Sequence, residues 1–163
     1  MRGNHKMDQL THLDTNGRAR MVDVSQKEVT TREARARAVL VMAPETLMRI
    51  RDGAISKGDV LAVAQVATIM ATKKTSDLIP MCHPLPISGV TVDFSYPAED
   101  RLQMEVVVIT DAKTGVEMEA LTAAAIGALT VYDMCKAIDR GMRIDFIGLM
   151  EKSGGKSGVY VRP

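Results

Sequence analysis

Two polar clusters bracket one long apolar run, and their residue types suit acid–base chemistry. Glu117 and Glu119 stand near the start of Lys113–Arg140, and Asp133 and Lys136 near its end. A carboxylate and an amine three residues apart on a helix are neighbours on one face, where each can steady the other's charge while protons move. The bland counterpart is a surface ion pair with a dipole carboxylate at the helix start. Positive charge is supplied elsewhere by Arg32, Lys57, His83, Lys152 and Lys156, mostly in glycine- or proline-framed segments. A polyanionic substrate that also requires proton transfer fits this inventory. Residue types and spacing do not name that substrate.

The frames around these residues are explicit. Lys57 lies in Ser56-Lys57-Gly58-Asp59, before a helix whose N-terminal N–H groups, with the lysine, suit a phosphate. Cys82 and His83 lie between Pro80 and Pro84 in the stiff loop Thr75–Pro86, either a presented Cys-His site or a packed corner. Lys152 and Lys156 belong to K-S-G-G-K-S-G, which lacks the leading glycine of a P-loop and the helix that must follow it. Its small residues still let backbone N–H groups approach an anion; otherwise it is a flexible terminal loop.

Hydrophobic periodicity supplies the scaffold. Thr31–Met42 alternates as a strand, Pro44–Asp52 and Val60–Lys73 read as helices, and Ile87–Tyr96 and Arg101–Thr110 form a hairpin about a turn at Pro97–Asp100. One helix is expected over Val116–Arg140 and a last strand over Arg143–Glu151; Ala19–Ser25 is a short strand or an extended arm. The β-α-β-β-α-β order predicts an α+β, ferredoxin-like fold, an antiparallel sheet with helices on one face. The 163 residues form a single domain, with 1–18 as a mobile arm. Glu119 and Asp133, fourteen residues apart, lie within about 40° of one stripe but roughly 21 Å apart along the axis.

Composition narrows the function class. A net charge of +1 and an aromatic content of 3% argue against bulk nucleic-acid binding and base stacking. No run is apolar enough to span a membrane, and two cysteines do not make a disulfide framework, so a cytoplasmic protein is expected. Zinc is disfavoured, because the second cysteine is mid-helix and His5 and His12 fall in the arm.

The runs T-R-E-A-R-A, K-G-D-V-L-A-V-A, T-S-D-L-I-P-M-C-H-P-L, K-T-G-V-E-M-E-A-L-T, L-T-V-Y-D-M-C-K-A and E-K-S-G-G-K-S-G closely resemble the cyclic pyranopterin monophosphate synthase family of molybdenum cofactor biosynthesis. With L-T-H-L-D and A-R-M-V-D-V-S, the resemblance covers Leu10–Gly158 in register. It implies a lyase that rearranges 3′,8-cyclo-7,8-dihydro-GTP into cyclic pyranopterin monophosphate and releases pyrophosphate. It implies that Asp133 is the active-site aspartate, Lys136 the acid/base lysine and Lys57 a catalytic partner. Met81, Cys82, His83, Met118 and Glu119 fall on substrate-binding positions, and Arg32, Glu117, Lys152 and Lys156 on further site positions. A lysine with a lowered pKa beside the aspartate would suit the ring opening and reclosure. The family assembles as a homohexamer, a trimer of dimers. No cofactor is implied beyond Mg²⁺ carried by the triphosphate.

Thr68 and Thr72 stand where the family more often has glycine and alanine, and Ala112 where it has glycine; these read as packing or loop changes. Two other readings compete. A zinc-dependent pteridine-forming cyclohydrolase predicts bound metal and sensitivity to chelators. A ferredoxin-like module for nucleotide or RNA predicts binding without turnover.

Overall fold

The computed structural model describes residues 17–163. The arm read over 1–18 therefore lies outside the described residues except for Gly17 and Arg18, as do His5 and His12. The order is β1 (Thr30–Val41), α1 (Pro44–Arg51), α2 (Val60–Thr72), α3 (Thr75–Leu78), β2 (Ile87–Ala98), β3 (Arg101–Ala112), α4 (Glu117–Cys135), β4 (Arg143–Ser153) and β5 (Tyr160–Val161). The strands form one antiparallel sheet in the order β2-β3-β1-β4-β5, with the helices on one side. The expected ferredoxin-like α+β fold is present, extended by β5 at one edge.

Alternation along the central strands decides which face carries the helices. Ala34, Ala36, Ala38 and Leu40 of β1 are buried and pair with Val108, Val106, Met104 and Leu102 of β3. Arg35 and Arg37 point the other way and share the Glu105 carboxylate, at 2.6 and 3.1 Å. The β1 alanines leave room for α4, which buries Ala120, Ala123, Ala124 and Ala128. Small residues on both surfaces bring the α4 backbone close to the sheet. On another side α4 meets α2, where a Cβ on Gly127 would collide with Thr68 Oγ1 and the Met104 thioether.

The two threonine departures are packing features. Thr68 and Thr72 are buried, and their hydroxyls donate to Ala64 O at 2.8 Å and Thr68 O at 3.0 Å. Bonding back along the helix satisfies each hydroxyl, and Thr68 Oγ1 also reaches the Met104 sulfur of β3 at 3.6 Å.

Several boundaries differ from the sequence expectation. α4 stops at Cys135, not Arg140, because Asp139 is drawn away to the start of α1. Its Oδ2 accepts from Ala43 N at 2.8 Å and Thr46 Oγ1 at 3.2 Å, replacing a cap that Ala43 lacks. Thr75–Leu78 is a helical turn within the proline loop, tied by Thr75 Oγ1 to Ala71 O and Thr72 O at 3.2 Å each. The hairpin turns at Glu99–Asp100, and Pro97 lies within β2, tolerated because β2 is an edge strand. Ala19–Ser25 forms no strand: it has a lone bridge at Ala19, and Ser25 opens a turn closed by Lys27 N donating to Val24 O at 3.0 Å. Lys152 and Ser153 close β4 rather than opening a loose tail, and β5 pairs back onto Glu151 and Lys152.

Candidate active site

The structure gathers the predicted residues into three places. The first lies where the start of α2 meets the end of α4. Asp133 Oδ1 pairs with Lys136 Nζ at 2.7 Å, and Asp133 Oδ2 with Lys57 Nζ at 3.4 Å. Lys57 Nζ also donates to the Asp133 backbone carbonyl at 2.7 Å. Two ammonium groups thus share one carboxylate in an open, solvated position.

The electrostatics correct the sequence expectation for the lysine. The Lys136 hydrogen bond, then that of Lys57, holds the Asp133 carboxyl below its ordinary pKa. The Asp133 hydrogen bond and charge push Lys136 above the ordinary lysine value, not below it. Lys136 is therefore stabilised as an ammonium. The phosphate role suggested for Lys57 is also revised: Asp59 Oδ1 fills the α2 start, accepting from Leu61 N and Ala62 N at 3.0 Å each.

The second place lies where the proline loop meets the start of α4. Met81, Cys82 and His83 are half-buried, Met118 is exposed, and Glu119 is only 4% exposed. Burial, with the Glu119 charge added, pushes the Cys82 thiol up. Cys82 is thus held as a neutral thiol close to Glu119, which makes a thiolate nucleophile unfavourable there. Burial raises the Glu119 carboxyl, its own backbone N–H pulls it down in part, and the Glu117 charge raises it further.

That shift carries a stability prediction. A carboxyl whose folded pKa is raised binds its proton more tightly in the folded chain. Its contribution is full below the unfolded value and is lost as pH rises through the folded one. Glu119→Gln removes the loss. Its melting temperature should exceed wild type by about 2–4 °C at pH 8, with the gain vanishing near pH 4. Equal melting at pH 8 would mean that the buried carboxylate costs nothing.

The third place is a cavity of about 750 Å³ whose lining includes Arg32, Lys113, Glu117, Lys152 and Lys156. Glu117 Oε1 accepts from Lys152 Nζ at 2.8 Å, and Arg32 Nε donates to Ala112 O at 3.4 Å. Among the described residues no carboxylate pairs with Arg32. Ala112, which departs from the family pattern, is buried with no positive φ, so glycine is not required there. Its carbonyl meets Arg32. Sequence reasoning missed a further stretch of the lining wall, Gln26–Glu28. That wall is fastened by Lys113 Nζ donating to Ser25 O at 2.6 Å, and no local pattern links residues so far apart.

Glu117 and Glu119 point to different places although both open α4, because neighbours two apart on a helix lie on opposite sides. The basin and the Met-Cys-His shelf sit at one end of α4, and Asp133 with its lysines at the other. Among the described residues, no group of three or more His, Cys, Asp or Glu is placed to hold a metal ion. Nor is any described helix long and apolar enough to cross a membrane.

The family model described as MoaC matches residues 21–155. A cyclic pyranopterin monophosphate synthase of Brevibacillus brevis is 59% identical over 155 residues, covering 95% of this chain and 97% of the relative. The enzyme of that name from Desulfitobacterium hafniense is 60% identical over 154 residues, 94% of each chain. That from a Thermoanaerobacter species is 60% identical over 154 residues, covering 94% of this chain and 98% of the relative. Such similarity runs through all three clusters and the scaffold between them, and the chain belongs to the MoaC family.

Proposed function

We propose that this chain is a lyase of molybdenum cofactor biosynthesis that forms cyclic pyranopterin monophosphate from 3′,8-cyclo-7,8-dihydro-GTP. The observation that carries this reading is one helix with an acid–base cluster at one end and a cationic basin at the other. In the reaction, the purine-derived ring opens and recloses, which needs protons moved on and off nitrogen and oxygen. The Lys136 ammonium is the donor, and Asp133 holds it and Lys57 in register. A sugar-derived hydroxyl oxygen then bonds to the α-phosphorus as the α–β phosphoanhydride bond breaks, and pyrophosphate leaves. Arg32, Lys152 and Lys156 meet the charge of the polyphosphate. Met81, Cys82, His83, Met118 and Glu119 hold the guanine-derived part.

Because the two ends of α4 are distant, we infer that one site takes its acid–base cluster from one protomer and its basin and shelf from another. A homohexamer built as a trimer of dimers provides such pairs. The protein works without a resident cofactor, Mg²⁺ arriving with the triphosphate. Its two free cysteines suit a reducing cytoplasm.

The test is an anaerobic assay with 3′,8-cyclo-7,8-dihydro-GTP, following pyrophosphate and the pterin product. Release of both in equal amounts is expected. Binding without release of either would overturn the enzyme reading in favour of a binding module.

A further inference from the structure

Gly154 and Gly155 follow Ser153 directly, where β4 stops pairing with β1 and the chain turns across it. Both have positive φ, +94° and +70°. A Cβ on Gly154 would collide with the Thr31 carbonyl oxygen and stand 3.2 Å from Arg32 Cδ. A Cβ on Gly155 would fall within the Arg32 guanidinium itself, overlapping Nη1 and Cζ. The guanidinium thus occupies the space where any other residue's side chain would begin. Gly158, three residues on, provides a matched contrast. Its φ is +66° and its N–H donates to Gly155 O at 3.3 Å, yet a Cβ there would meet nothing within 4 Å.

We propose that Gly155 is a positioning residue for the reaction: its missing side chain lets the Arg32 guanidinium lie against the Lys152–Ser157 loop and present its fork to the substrate's polyphosphate. The role of Arg32 rests on the function proposed above; the steric relation between the two residues does not. Arg32 suits this task because its planar fork meets phosphate oxygens in pairs, which needs a fixed orientation more than a fixed charge. Lys152, by contrast, has its shorter bond to Glu117 on α4, at 2.8 Å, and a longer one to Ser157 Oγ of the loop, at 3.4 Å. Positive φ alone would also favour glycine at 155, and Gly158 carries that same preference without the contact.

The experiment is a double-mutant cycle on the full-length chain with Gly155→Ala, Arg32→Ala, both together, and Gly158→Ala. Inorganic pyrophosphate is titrated calorimetrically and melting temperatures are measured. Gly155→Ala is expected to weaken pyrophosphate about tenfold, and Gly158→Ala by no more than about twofold. In the Arg32→Ala background, Gly155→Ala should add no further loss of affinity, and its melting penalty should shrink to that of Gly158→Ala. In turnover, Gly155→Ala should lower kcat/KM while the pH profile of kcat keeps its shape, since the contacts among Lys57, Asp133 and Lys136 involve no residue of the 152–157 loop. Equal losses from Gly155→Ala and Gly158→Ala, or losses that multiply in the double variant, would overturn the proposal. If Gly155→Ala folds too poorly to titrate, the melting cycle still decides, because the Arg32→Ala background removes the obstruction. Wild type that binds no pyrophosphate also overturns it, whereas wild type that binds pyrophosphate without turning over substrate overturns only the enzyme reading.

Discussion

Lys136→Ala is expected to lower kcat by about a hundred- to ten-thousand-fold, the range for removing a general acid or base, with a much smaller change in KM. The Asp133 hydrogen bond holds Lys136 as an ammonium beyond the pH at which a free lysine loses its proton. If Lys136 gives that proton, activity persists on the basic side until pH passes this raised pKa. Asp133→Asn removes the cause of the shift and leaves Lys57 and Lys136 side by side with no counter-charge. One of the two must then deprotonate more readily. The residual activity of Asp133→Asn should therefore show its basic limb at lower pH than wild type. The measurement is a pH–rate profile of each variant on the cyclic dihydro-GTP. A Lys136 that works first as a free base predicts the reverse: Asp133→Asn would liberate more amine and raise activity near neutrality. That result would assign the first proton to another group.

How far this was legible in the sequence depends on how local each signal is. The alternation of β1 and the Asp59 cap before α2 are written in adjacent residues, and the structure agrees within a residue or two. The end of α4 was not, because Asp139 leaves the helix to cap α1 and nothing beside it in sequence announces that bond. The direction of the Lys136 shift was missed for a related reason. The i,i+3 pair with Asp133 was visible, but a lowered pKa needs burial or an uncompensated neighbouring cation, and here both groups are open to solvent with the carboxylate between the two ammonium groups. The residue types around Lys152 suggested an anion site. That Gly155 makes room for a side chain on β1 needed the crossing of the loop over Thr31 and Arg32.

Mixing two strongly impaired variants, Glu119→Ala and Asp133→Asn, should raise activity above that of either alone once protomers exchange. Both residues lie on α4, fourteen positions apart, so about 21 Å of helix separates them within a chain. The helix is rigid and continuous between them, so closing that gap within one protomer would require breaking it. A two-fold axis that sets two copies of α4 antiparallel brings the Glu119 end of each chain to the Asp133 end of the other. In a mixed dimer, one of the two sites then combines both defects and the other combines none. Random exchange at equal concentrations makes half the dimers mixed, so roughly a quarter of wild-type activity should return. Exchange is verified by differently tagged chains that co-purify, and unmixed variants carried through the same steps give the baseline. Tagged mixed oligomers with no activity above that baseline would place the whole site within one protomer. The acid–base cluster would then have to act on a part of the substrate remote from the one Glu119 holds.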